Sequence, residues 1–307
     1  MALKLIFMGT PHFAVPTLKS IYESQHKILE VYTQPPRPSK RGQKINISPI
    51  HEYSQLIKVK VRHPDNLDDE FNHITKLNPD VVVVVAYGII IPKKLINIQN
   101  IKFINIHASL LPKWRGAAPI QRAIMNSDKE TGISIMKIAA KLDAGPVMLQ
   151  SKIKISKGTN FNELSSELAN LGSKMILESL DLIENKNAVF KAQNHQEATY
   201  AKKIKKNETK INWHEDARKI VAKINALYPN PGSWFDLGGL RIKPIKAIEV
   251  PLKGSPGEIL DKNFTIACAN NSIQIIELKK EGKKSMLSKE FLKGFDLKVG
   301  KNLNNYV

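Results

Sequence analysis

Residues 103–116 of the chain are Phe-Ile-Asn-Ile-His-Ala-Ser-Leu-Leu-Pro-Lys-Trp-Arg-Gly, an apolar strand that runs into a loop containing proline and glycine. Successive side chains of a strand point to opposite faces, so Asn105 and His107 share one face and the isoleucines beside them point the other way. Open α/β sheets bind ligands at the carboxyl ends of their strands. The polar pair therefore marks a candidate site, although two hydrogen-bonded core side chains that fix the turn would give the same pattern.

The sequence around this stretch alternates apolar strands with helical segments. Strands are predicted at residues 4–8, 28–32, 59–61, 81–85 and 103–107, and the fourth of them is a run of five valines. Continuous β-branched runs that alternate with helices are typical of a parallel sheet covered on both faces. We therefore expect an α/β, Rossmann-like domain with a mostly parallel sheet. The lack of a Gly-x-Gly-x-x-Gly fingerprint and of a Gly-Lys-Ser/Thr phosphate loop leaves little support for a dinucleotide cofactor.

The sequence becomes polar and lysine-rich after about residue 190, and short strand signals follow. We predict a catalytic domain over residues 1–190, a basic linker over residues 191–207 and a second domain over residues 208–307. The linker prediction rests on a polar, lysine-rich composition. Beyond it, short strands separated by turns favour a small β-barrel of the OB-like kind. The strand signals follow a helix predicted at residues 215–227 and lie at residues 240–248, 257–260, 264–268 and 273–278.

The charge of the chain favours a polyanionic partner. Its 307 residues include 47 Lys and Arg against 28 Asp and Glu, a formal net charge of +19. Basic surfaces bind nucleic acid by releasing counterions, so nucleic acid is the leading candidate, and a lysine-rich composition of the whole proteome is the alternative.

The cysteine content and the length of the apolar runs indicate the compartment in which the protein is expected to work. The single cysteine, Cys268, cannot form an internal disulfide or a multi-thiolate metal site, and we expect no metal. No apolar run approaches the length of a membrane span, and the chain enters its first strand without a signal peptide ahead of it. A cytoplasmic location without membrane contact is expected.

A long basic loop follows the second predicted strand. Residues 33–49 contain four prolines and no acidic residue, together with Arg37, Lys40, Arg41 and Lys44. Loops longer than about 12 to 15 residues in compact domains are usually functional or disordered. This loop could reach phosphates, and an ordinary solvated loop is the alternative.

Asn105, His107 and Asp143 together permit chemistry that none of them implies alone. An amine that attacks a formyl or acyl carbonyl forms a tetrahedral oxyanion, which needs preorganised donors, and the amine must lose a proton. Asn supplies a neutral donor, His a donor that can be charged near neutral pH, and a nearby carboxylate would orient the imidazole. Spacing alone does not bring Asp143 to His107, and an Asp that caps its own turn is the alternative. No Ser or Cys lies in a nucleophile elbow, so a covalent route is not indicated.

Several motifs in order along the chain resemble the formyltransferases that use 10-formyltetrahydrofolate. The first set is Asn105-Ile-His107, Ser109-Leu-Leu-Pro112, Trp114-Arg-Gly-Ala-Ala-Pro-Ile120 and Leu142-Asp-Ala-Gly-Pro146. A second set resembles the branch of that family that acts on methionyl initiator tRNA, and it covers essentially the whole chain. It comprises Phe7-Met-Gly-Thr-Pro-His-Phe-Ala-Val-Pro16, Thr33-Gln-Pro35, Lys40-Arg-Gly42, Val83 to Pro92, Ala198-Thr-Tyr-Ala-Lys202, Ile211-Asn-Trp213 and Gly282-Lys-Lys-Ser-Met286.

The resemblance implies transfer of a formyl group from 10-formyltetrahydrofolate, the co-substrate, to the α-amino group of methionine on initiator tRNA, for translation initiation. It implies that Asn105, His107 and Asp143 are catalytic, and that the basic loop and the second domain, residues 208–307, contact tRNA. The implied folate-pocket residues are Ala86, Tyr87, Gly88, Ile89, Ile90, Ile91, Ser109, Leu110, Leu111, Pro112, Leu142 and Gly145. The tRNA-binding residues expected from the loop and the linker are Arg37, Lys40, Arg41, Lys44, Lys202, Lys203, Lys205 and Lys206.

Three positions depart from the family's pattern. Ala144 stands where Thr often follows the Asp, Pro36 stands where an acid is common, and Ser39-Lys40 replaces small residues before Arg41. The first removes a hydroxyl contact from the Asp143 loop, and the others make the basic loop stiffer and more positive. None touches the three proposed catalytic residues.

Two other functions are compatible with parts of the sequence. A formyltransferase or hydrolase acting on a small molecule would share the first domain but would need neither the basic loop nor a basic second domain. A non-catalytic RNA-binding protein would use the charge but would not need Asn105, His107 and Asp143. The expected oligomeric state is a monomer.

Overall fold

The computed structural model describes residues 2–39 and 44–305 of the chain. These residues form two compact units. The first unit comprises Met1–Gly116, Thr131–Ile153 and Ser165–Tyr200, and the second comprises Ala117–Glu130, Lys154–Leu164 and Ala201–Val307. No helix in the described ranges is long and apolar enough to cross a bilayer.

The first unit is built on a seven-stranded sheet. Its strands are β1 (Lys4–Gly9), β2 (Lys27–Tyr32), β5 (Val61–Arg62), β6 (Val81–Val85), β7 (Lys102–His107), β9 (Glu130–Lys137) and β10 (Val147–Lys154). They lie in the order β10-β9-β7-β6-β1-β2-β5. Strands β1 and β2, β1 and β6, β2 and β5, and β6 and β7 pair in parallel, whereas β7 and β9 pair antiparallel. The prediction of a mostly parallel α/β sheet is therefore confirmed.

The remaining strands near this sheet are short. A separate two-stranded antiparallel sheet, β3 (Arg37–Ser39) and β4 (Lys44–Asn46), lies outside the main sheet, as the prolines of the basic loop require. The strands β8 (Arg115–Gly116) and β11 (Tyr200–Ala201) contain two residues each. The described part of the basic loop is thus neither a helix nor a central strand, as predicted.

Helices cover the sheet, and one of them begins at a serine cap. They are α1 (Val15–Tyr22), α2 (Pro49–Leu56), α3 (Phe71–Leu77), α4 (Lys93–Ile96) and α6 (Phe161–Glu184), with short 3-10 helices at His12–Ala14 and His195–Glu197. The side-chain oxygen of Ser48 accepts a hydrogen bond from the His51 amide and begins α2, and Pro49 takes the first helical position, where its missing N–H costs nothing. The longest helix, α6, packs Gly172 closely against Ile106 of β7.

The faces of β7 follow the period predicted from the sequence. Phe103 belongs to a buried cluster with residues of β1 and β6 such as Met8 and Val82, whereas Ile106 faces α6. All five valines of β6 are buried, because helices cover both faces of the sheet. The alternation leaves Asn105 and His107 on the face of Phe103, at the carboxyl end of the strand.

Glu70, Arg62 and Tyr32 form a hydrogen-bonded network at the β2–β5 edge of the sheet. The carboxylate of Glu70 accepts two hydrogen bonds from Arg62, at 2.8 and 2.9 Å, and one from the Tyr32 hydroxyl at 3.0 Å. Burial raises the pKa of the Glu70 carboxyl, but the bonds from Arg62 and Tyr32 outweigh it and leave that pKa below its usual value. The ionised Glu70 carboxylate therefore stabilises the folded protein at pH values above the carboxyl pKa of the unfolded chain.

The Glu70→Gln variant is expected to lose about 1–3 kcal/mol of unfolding free energy at pH 7, because the partly buried guanidinium of Arg62 loses its closest counter-charge. The wild-type advantage is present above the carboxyl pKa of the unfolded chain and disappears as the pH falls through the lower pKa of the folded state. Urea denaturation at pH 7 and in the acid range measures both values. Glu23→Gln, which removes an exposed partner of Lys19, is the control and should change stability by less than about 0.5 kcal/mol.

The second unit has its own antiparallel sheet and core. Its elements are α5 (Pro119–Met125), α7 (Ala217–Leu227), β12 (Phe235–Leu237), β13 (Leu240–Val250), β14 (Thr265–Ala267), β15 (Ser272–Lys280), β16 (Ser285–Leu287) and α8 (Ser288–Leu292), with 3-10 helices at Lys206–Thr209 and Leu303–Asn305. Five strands pair in the order β12-β13-β15-β14, with β16 on β15. A core that includes Trp213, Phe235 and Phe264 lies against this curled sheet, and Trp213 and Phe235 meet edge to face with centroids 5.3 Å apart.

One predicted strand of this unit is wrong. Residues 257–260 form only two isolated bridges, Glu258 to Asn302 and Ile259 to Ile266. Gly257 begins the segment in the left-handed region, with φ of +90°, which interrupts a regular ladder. Strands β12 and β16 were not predicted, because three residues give too short a periodic signal.

Candidate active site

His107 lies at the carboxyl end of β7, paired with Ser134 of β9. Its side chain is buried, and Nε2 lies 2.9 Å from the carbonyl oxygen of Trp114. A carbonyl oxygen only accepts, so Nε2 carries a proton and donates it to Trp114. The other ring nitrogen, Nδ1, is therefore the one available for chemistry.

Asp143 is the residue that this available nitrogen faces. Its Oδ2 lies 3.7 Å from His107 Nδ1, which is ion-pair range but too long for a hydrogen bond. The same Oδ2 accepts a 2.8 Å hydrogen bond from the Gly116 amide. Asp143 itself has φ of +45°, an uncommon left-handed conformation for a residue with a side chain. The structure thus brings together two residues whose proximity the sequence left open.

Asn105 completes the group on the same face of β7. It pairs with Val84 of β6 and Met136 of β9, and its side chain is half-buried. Within residues 2–39 and 44–305, its carboxamide makes no hydrogen bond with another residue, so both N–H groups remain available to a bound molecule. A neutral donor and an imidazole nitrogen therefore lie on the same face of β7, near its carboxyl end.

The loop after β7 is fixed by Ser134 and Gln150. Ser134 Oγ donates to the Ser109 carbonyl at 2.6 Å and accepts from the Leu111 amide at 3.0 Å. Gln150 Nε2 donates to the Leu111 carbonyl and to Ser134 Oγ, both at 2.8 Å. Ser109 Oγ in turn donates to the carbonyl of Lys113. Four of the predicted folate-pocket residues, from Ser109 to Pro112, are therefore held in one conformation.

The segment after β6 is the second group of predicted folate-pocket residues. Tyr87 is buried, and its carbonyl accepts hydrogen bonds from Thr10 Oγ1 at 2.8 Å and Gln34 Nε2 at 3.1 Å. Gly88 has φ of +81°, a left-handed conformation that favours glycine, and a Cβ there would displace the end of the Gln34 side chain. Ala86 and Gly88 are exposed, and Ile89 and Ile91 are partly buried.

Two predicted pocket residues are unusually exposed for their type. Ile90 is 88% exposed and Leu142 is 63% exposed. Gly145, two residues after Asp143, is buried against the carbonyl of Lys137, from which a Cβ would be 1.9 Å away. The side chains of Ile90 and Leu142 thus remain exposed in the free protein. The backbone at Gly145, in the same loop as Leu142, is tightly packed.

The structure places the predicted tRNA-binding residues on exposed surface where it describes them. Arg37 is exposed at the start of β3. Lys40 and Arg41 lie outside the described residues, as does the side chain of Lys44. The four other predicted residues, Lys202, Lys203, Lys205 and Lys206, are all exposed.

Four groups at the site were not identified from the sequence. They are the Trp114 carbonyl and the Gly116 amide, which hold His107 and Asp143, and the side chains of Arg115 and Gln193. Backbone groups leave no signal in residue identity. Arg115 belongs to the Trp-Arg-Gly motif, which is a signal that was available, whereas Gln193 lies in a polar segment that gave none.

Comparisons with known proteins agree with this arrangement. The formyl transferase family model matches residues 3–180, and the model of the formyl transferase C-terminal domain matches residues 203–296. A methionyl-tRNA formyltransferase of Pelagibacter ubique is 48% identical over 309 residues, covering 99% of this chain and all of that protein. The enzyme of the same name from Paramagnetospirillum magneticum is 40% identical over 301 residues, covering 97% of this chain and 99% of that protein.

The chain belongs to the methionyl-tRNA formyltransferase family. Solved structures that resemble this formyltransferase are more distant in sequence and show the fold. An N-formyltransferase from Helicobacter canadensis, in complex with folinic acid and dTDP-3-aminofucose, has a TM-score of 0.68 at 20% identity, covering 90% of this chain and 99% of that one. HypX from Aquifex aeolicus, in complex with tetrahydrofolic acid, has a TM-score of 0.68 at 17% identity, covering 97% of this chain and 48% of that one.

Proposed function

We infer that this protein transfers the formyl group of 10-formyltetrahydrofolate to the α-amino group of methionyl initiator tRNA, giving N-formylmethionyl-tRNA for translation initiation. Family membership supports the reaction. The single structural observation that carries the mechanism is the 3.7 Å approach of Asp143 Oδ2 to His107 Nδ1, beside an Asn105 amide whose donors are available. The proposed catalytic residues are therefore Asn105, His107 and Asp143.

The reaction begins with attack of the methionyl amine on the formyl carbon. The new C–N bond converts the formyl oxygen into an oxyanion, which Asn105 and His107 stabilise as hydrogen-bond donors. Collapse of this intermediate breaks the bond between the formyl carbon and N10 of the folate. The amine loses one proton through water to Asp143, and N10 gains one from His107. The proton on Asp143 then returns through water to His107, so both side chains end in their starting states. The proposed step needs no metal ion, because the side chains supply both the donors and the base.

The proposed mechanism uses the His107 imidazole with protons on both ring nitrogens. Nε2 already donates to Trp114, so donation from Nδ1 requires both ring nitrogens to be protonated. The carboxylate of Asp143 compensates the resulting positive charge without taking up the Nδ1 proton in a hydrogen bond, because 3.7 Å is too long for one. The Nδ1–H group therefore remains free to donate to the oxyanion from its fixed position and afterwards to protonate the leaving nitrogen.

The folate is proposed to bind at the carboxyl edge of the sheet. The support is the fixed loop after β7, the glycine at position 88, and the uncovered side chains of Ile90 and Leu142. The flat aromatic face of a pterin would remove such side chains from water, which stabilises binding by about 25 cal/mol per Å² of apolar surface buried. The proposed pocket residues are those of segments 86–91 and 109–112, with Leu142 and Gly145.

The tRNA is proposed to contact the basic loop and the C-terminal part of the chain. We retain the division into a catalytic domain at residues 1–190, a linker at residues 191–207 and a tRNA-binding domain at residues 208–307, with an OB-like barrel as the finer description of the curled sheet. The exposed lysines from 202 to 206 support this assignment. A cytoplasmic monomer without membrane contact is the proposed working form.

Replacing Arg41 by alanine is expected to weaken productive tRNA engagement and to lower the salt slope of binding by about 0.7 to 0.9, because one phosphate contact disappears. The double variant K203A/K206A is expected to lower the slope by about twice that amount if each lysine neutralises one phosphate. Binding of methionyl-tRNA between low and moderate salt measures the slope. Lys27→Ala, at the amino end of β2, is the control and should leave it unchanged.

The test of the function compares acceptors with 10-formyltetrahydrofolate as the common donor. Charged methionyl initiator tRNA, uncharged tRNA and small amines such as amino sugars are offered in parallel, and formylated product is measured by mass. We expect formylation of the charged tRNA only. Preferred formylation of a small amine would instead support a small-molecule formyltransferase, and tRNA binding without any transfer would support a non-catalytic RNA-binding protein.

A further inference from the structure

Three consecutive residues after β7 hold both members of the proposed catalytic pair. The Trp114 carbonyl accepts from His107 Nε2, and the Gly116 amide donates to Asp143 Oδ2. Arg115, between them, is anchored through its own amide, which donates to the Thr199 carbonyl at 2.9 Å. The proposed reaction gives no role yet to the Arg115 side chain.

The Arg115 guanidinium reaches the Asp143 loop through a glutamine. Its Nε and Nη2 donate to Gln193 Oε1 at 3.1 and 2.7 Å. Gln193 Nε2 uses its two N–H groups to donate to the carbonyls of Asp143, at 2.9 Å, and Gly145, at 2.7 Å. The amide therefore connects Arg115 to the residues on both sides of Ala144, in a loop that carries the proposed base.

The Arg115 guanidinium is buried without a negatively charged partner among the described residues. Arg115 is only 1% exposed, and no carboxylate of the described ranges 2–39 and 44–305 lies within ion-pair distance of it. Its Nη2 also lies 3.0 Å from His195 Nδ1, and its Nη1 is buried without a partner among the same residues. Burying a cation without a counter-charge costs several kcal/mol. A packing role alone would be met at lower cost by an apolar side chain.

We propose that Arg115 and Gln193 are positioning residues for formyl transfer, which hold the Asp143 carboxylate against His107. This inference rests on the proposed function. The positive guanidinium polarises the Gln193 amide and strengthens its two donated hydrogen bonds. Those bonds fix the carbonyls of Asp143 and Gly145 and so maintain the left-handed backbone at Asp143 that aims Oδ2 at both the Gly116 amide and the imidazole.

The proposal requires an amide side chain at position 193. The side chain must accept from a cation at one end and donate to two carbonyls at the other, and an amide does both. Glutamate would pair with Arg115 even more strongly but would have no N–H for the loop. Gln193→Glu therefore keeps the volume and the contact with Arg115, removes both hydrogen bonds to the Asp143 loop and places a carboxylate oxygen against the two loop carbonyls.

In the Gln193→Glu and Gln193→Ala variants, we expect turnover to fall about 10- to 100-fold, because a displacement of about 1 Å in a catalytic group is enough for such a loss. The KM values for formyltetrahydrofolate and methionyl-tRNA should stay within about threefold, since neither side chain is proposed to touch a substrate. Arg115→Lys provides a second variant and should fall between these and the wild type, because one ammonium cannot reproduce the planar pair of N–H groups. Gln196→Glu, an exposed glutamine in the same segment, is the matched control for the added charge and should keep wild-type turnover.

A double-variant cycle with Asp143→Ala distinguishes positioning from a general structural role. If Gln193 acts through Asp143, then Q193A in the D143A background should cost less than about twofold in turnover. A tenfold or larger further loss, or wild-type turnover in the folded Q193A, Q193E and R115K variants, would overturn the inference. Wild-type turnover in D143A itself would instead show that the proposed catalytic role of Asp143 is wrong.

Thermal unfolding of each variant keeps the result interpretable. Should Gln193→Ala and Gln193→Glu fail to fold, R115K and the combination of R115K with D143A supply the same comparison. In that case R115K must reduce turnover when Asp143 is present and leave it unchanged in the D143A background. Equal losses in both backgrounds would contradict positioning through Asp143.

Discussion

Replacing His107 by alanine is expected to lower the turnover number about 100- to 1,000-fold, because the developing oxyanion loses a preorganised donor. The imidazole is held at the carboxyl end of β7 by the Trp114 carbonyl, so its Nδ1 occupies a fixed position before substrates bind. Affinity for methionyl-tRNA should remain near normal, since the proposed contacts of His107 form in the transition state. Steady-state kinetics with both substrates, together with tRNA binding at equilibrium, measure these quantities.

Asn105→Ala tests the second donor in the same way and should cost about as much. Its carboxamide is half-buried and forms no hydrogen bond with another residue of the described ranges, so its removal leaves no protein group unpaired. A loss of turnover in this variant would therefore report on the bound substrate and not on the fold. Near-wild-type turnover in both variants would contradict the assignment of the oxyanion site.

The second large effect is expected from Asp143→Asn, on the order of 100-fold or more in the rate of transfer. The amide oxygen can still accept from the Gly116 N–H, so the loop should keep its conformation. The variant removes the negative charge 3.7 Å from His107 Nδ1 and the proposed acceptor for the proton of the attacking amine. Single-turnover formylation with both substrates bound separates this loss from changes in affinity.

The control for Asp143→Asn removes a carboxylate of the same type elsewhere in the first unit. Asp65 is exposed, so Asp65→Asn changes the net charge equally without touching the site. Its transfer rate should equal that of the wild type. A wild-type rate in both variants would show that Asp143 only shapes its own loop, the alternative that its place before Gly145 left open.

The sequence was sufficient for the parts of the site that periodicity controls. The period of a strand places Asn105 and His107 on one face, and the valine run of β6 beside them predicts a parallel sheet. The structure confirms both, with Val84 of β6 opposite Asn105. The exposed lysines from 202 to 206 were also predictable, because charged side chains in a polar segment remain in water.

The rest of the site depends on contacts between distant parts of the chain. Gly116 and Asp143 are 27 positions apart, and Arg115 and Gln193 are 78 positions apart. Two of the contacts use backbone groups, which every residue carries, so the sequence gives no reason to choose Trp114 or Gly116 over their neighbours. Gln193 lies in a segment whose polar composition is typical of a linker, and only the fold shows that its side chain holds a buried loop.

We propose that His107 and Asp143 act as one unit in formyl transfer. The most direct test is the single-turnover rate of formylation of methionyl-tRNA by the double variant H107A/D143N, compared with each single variant. Groups that act together are not additive, so we predict a double variant within about threefold of the slower single variant. Losses that multiply to about 10⁴-fold or more, as expected for independent groups, or a single variant with the wild-type rate, would contradict this coupling.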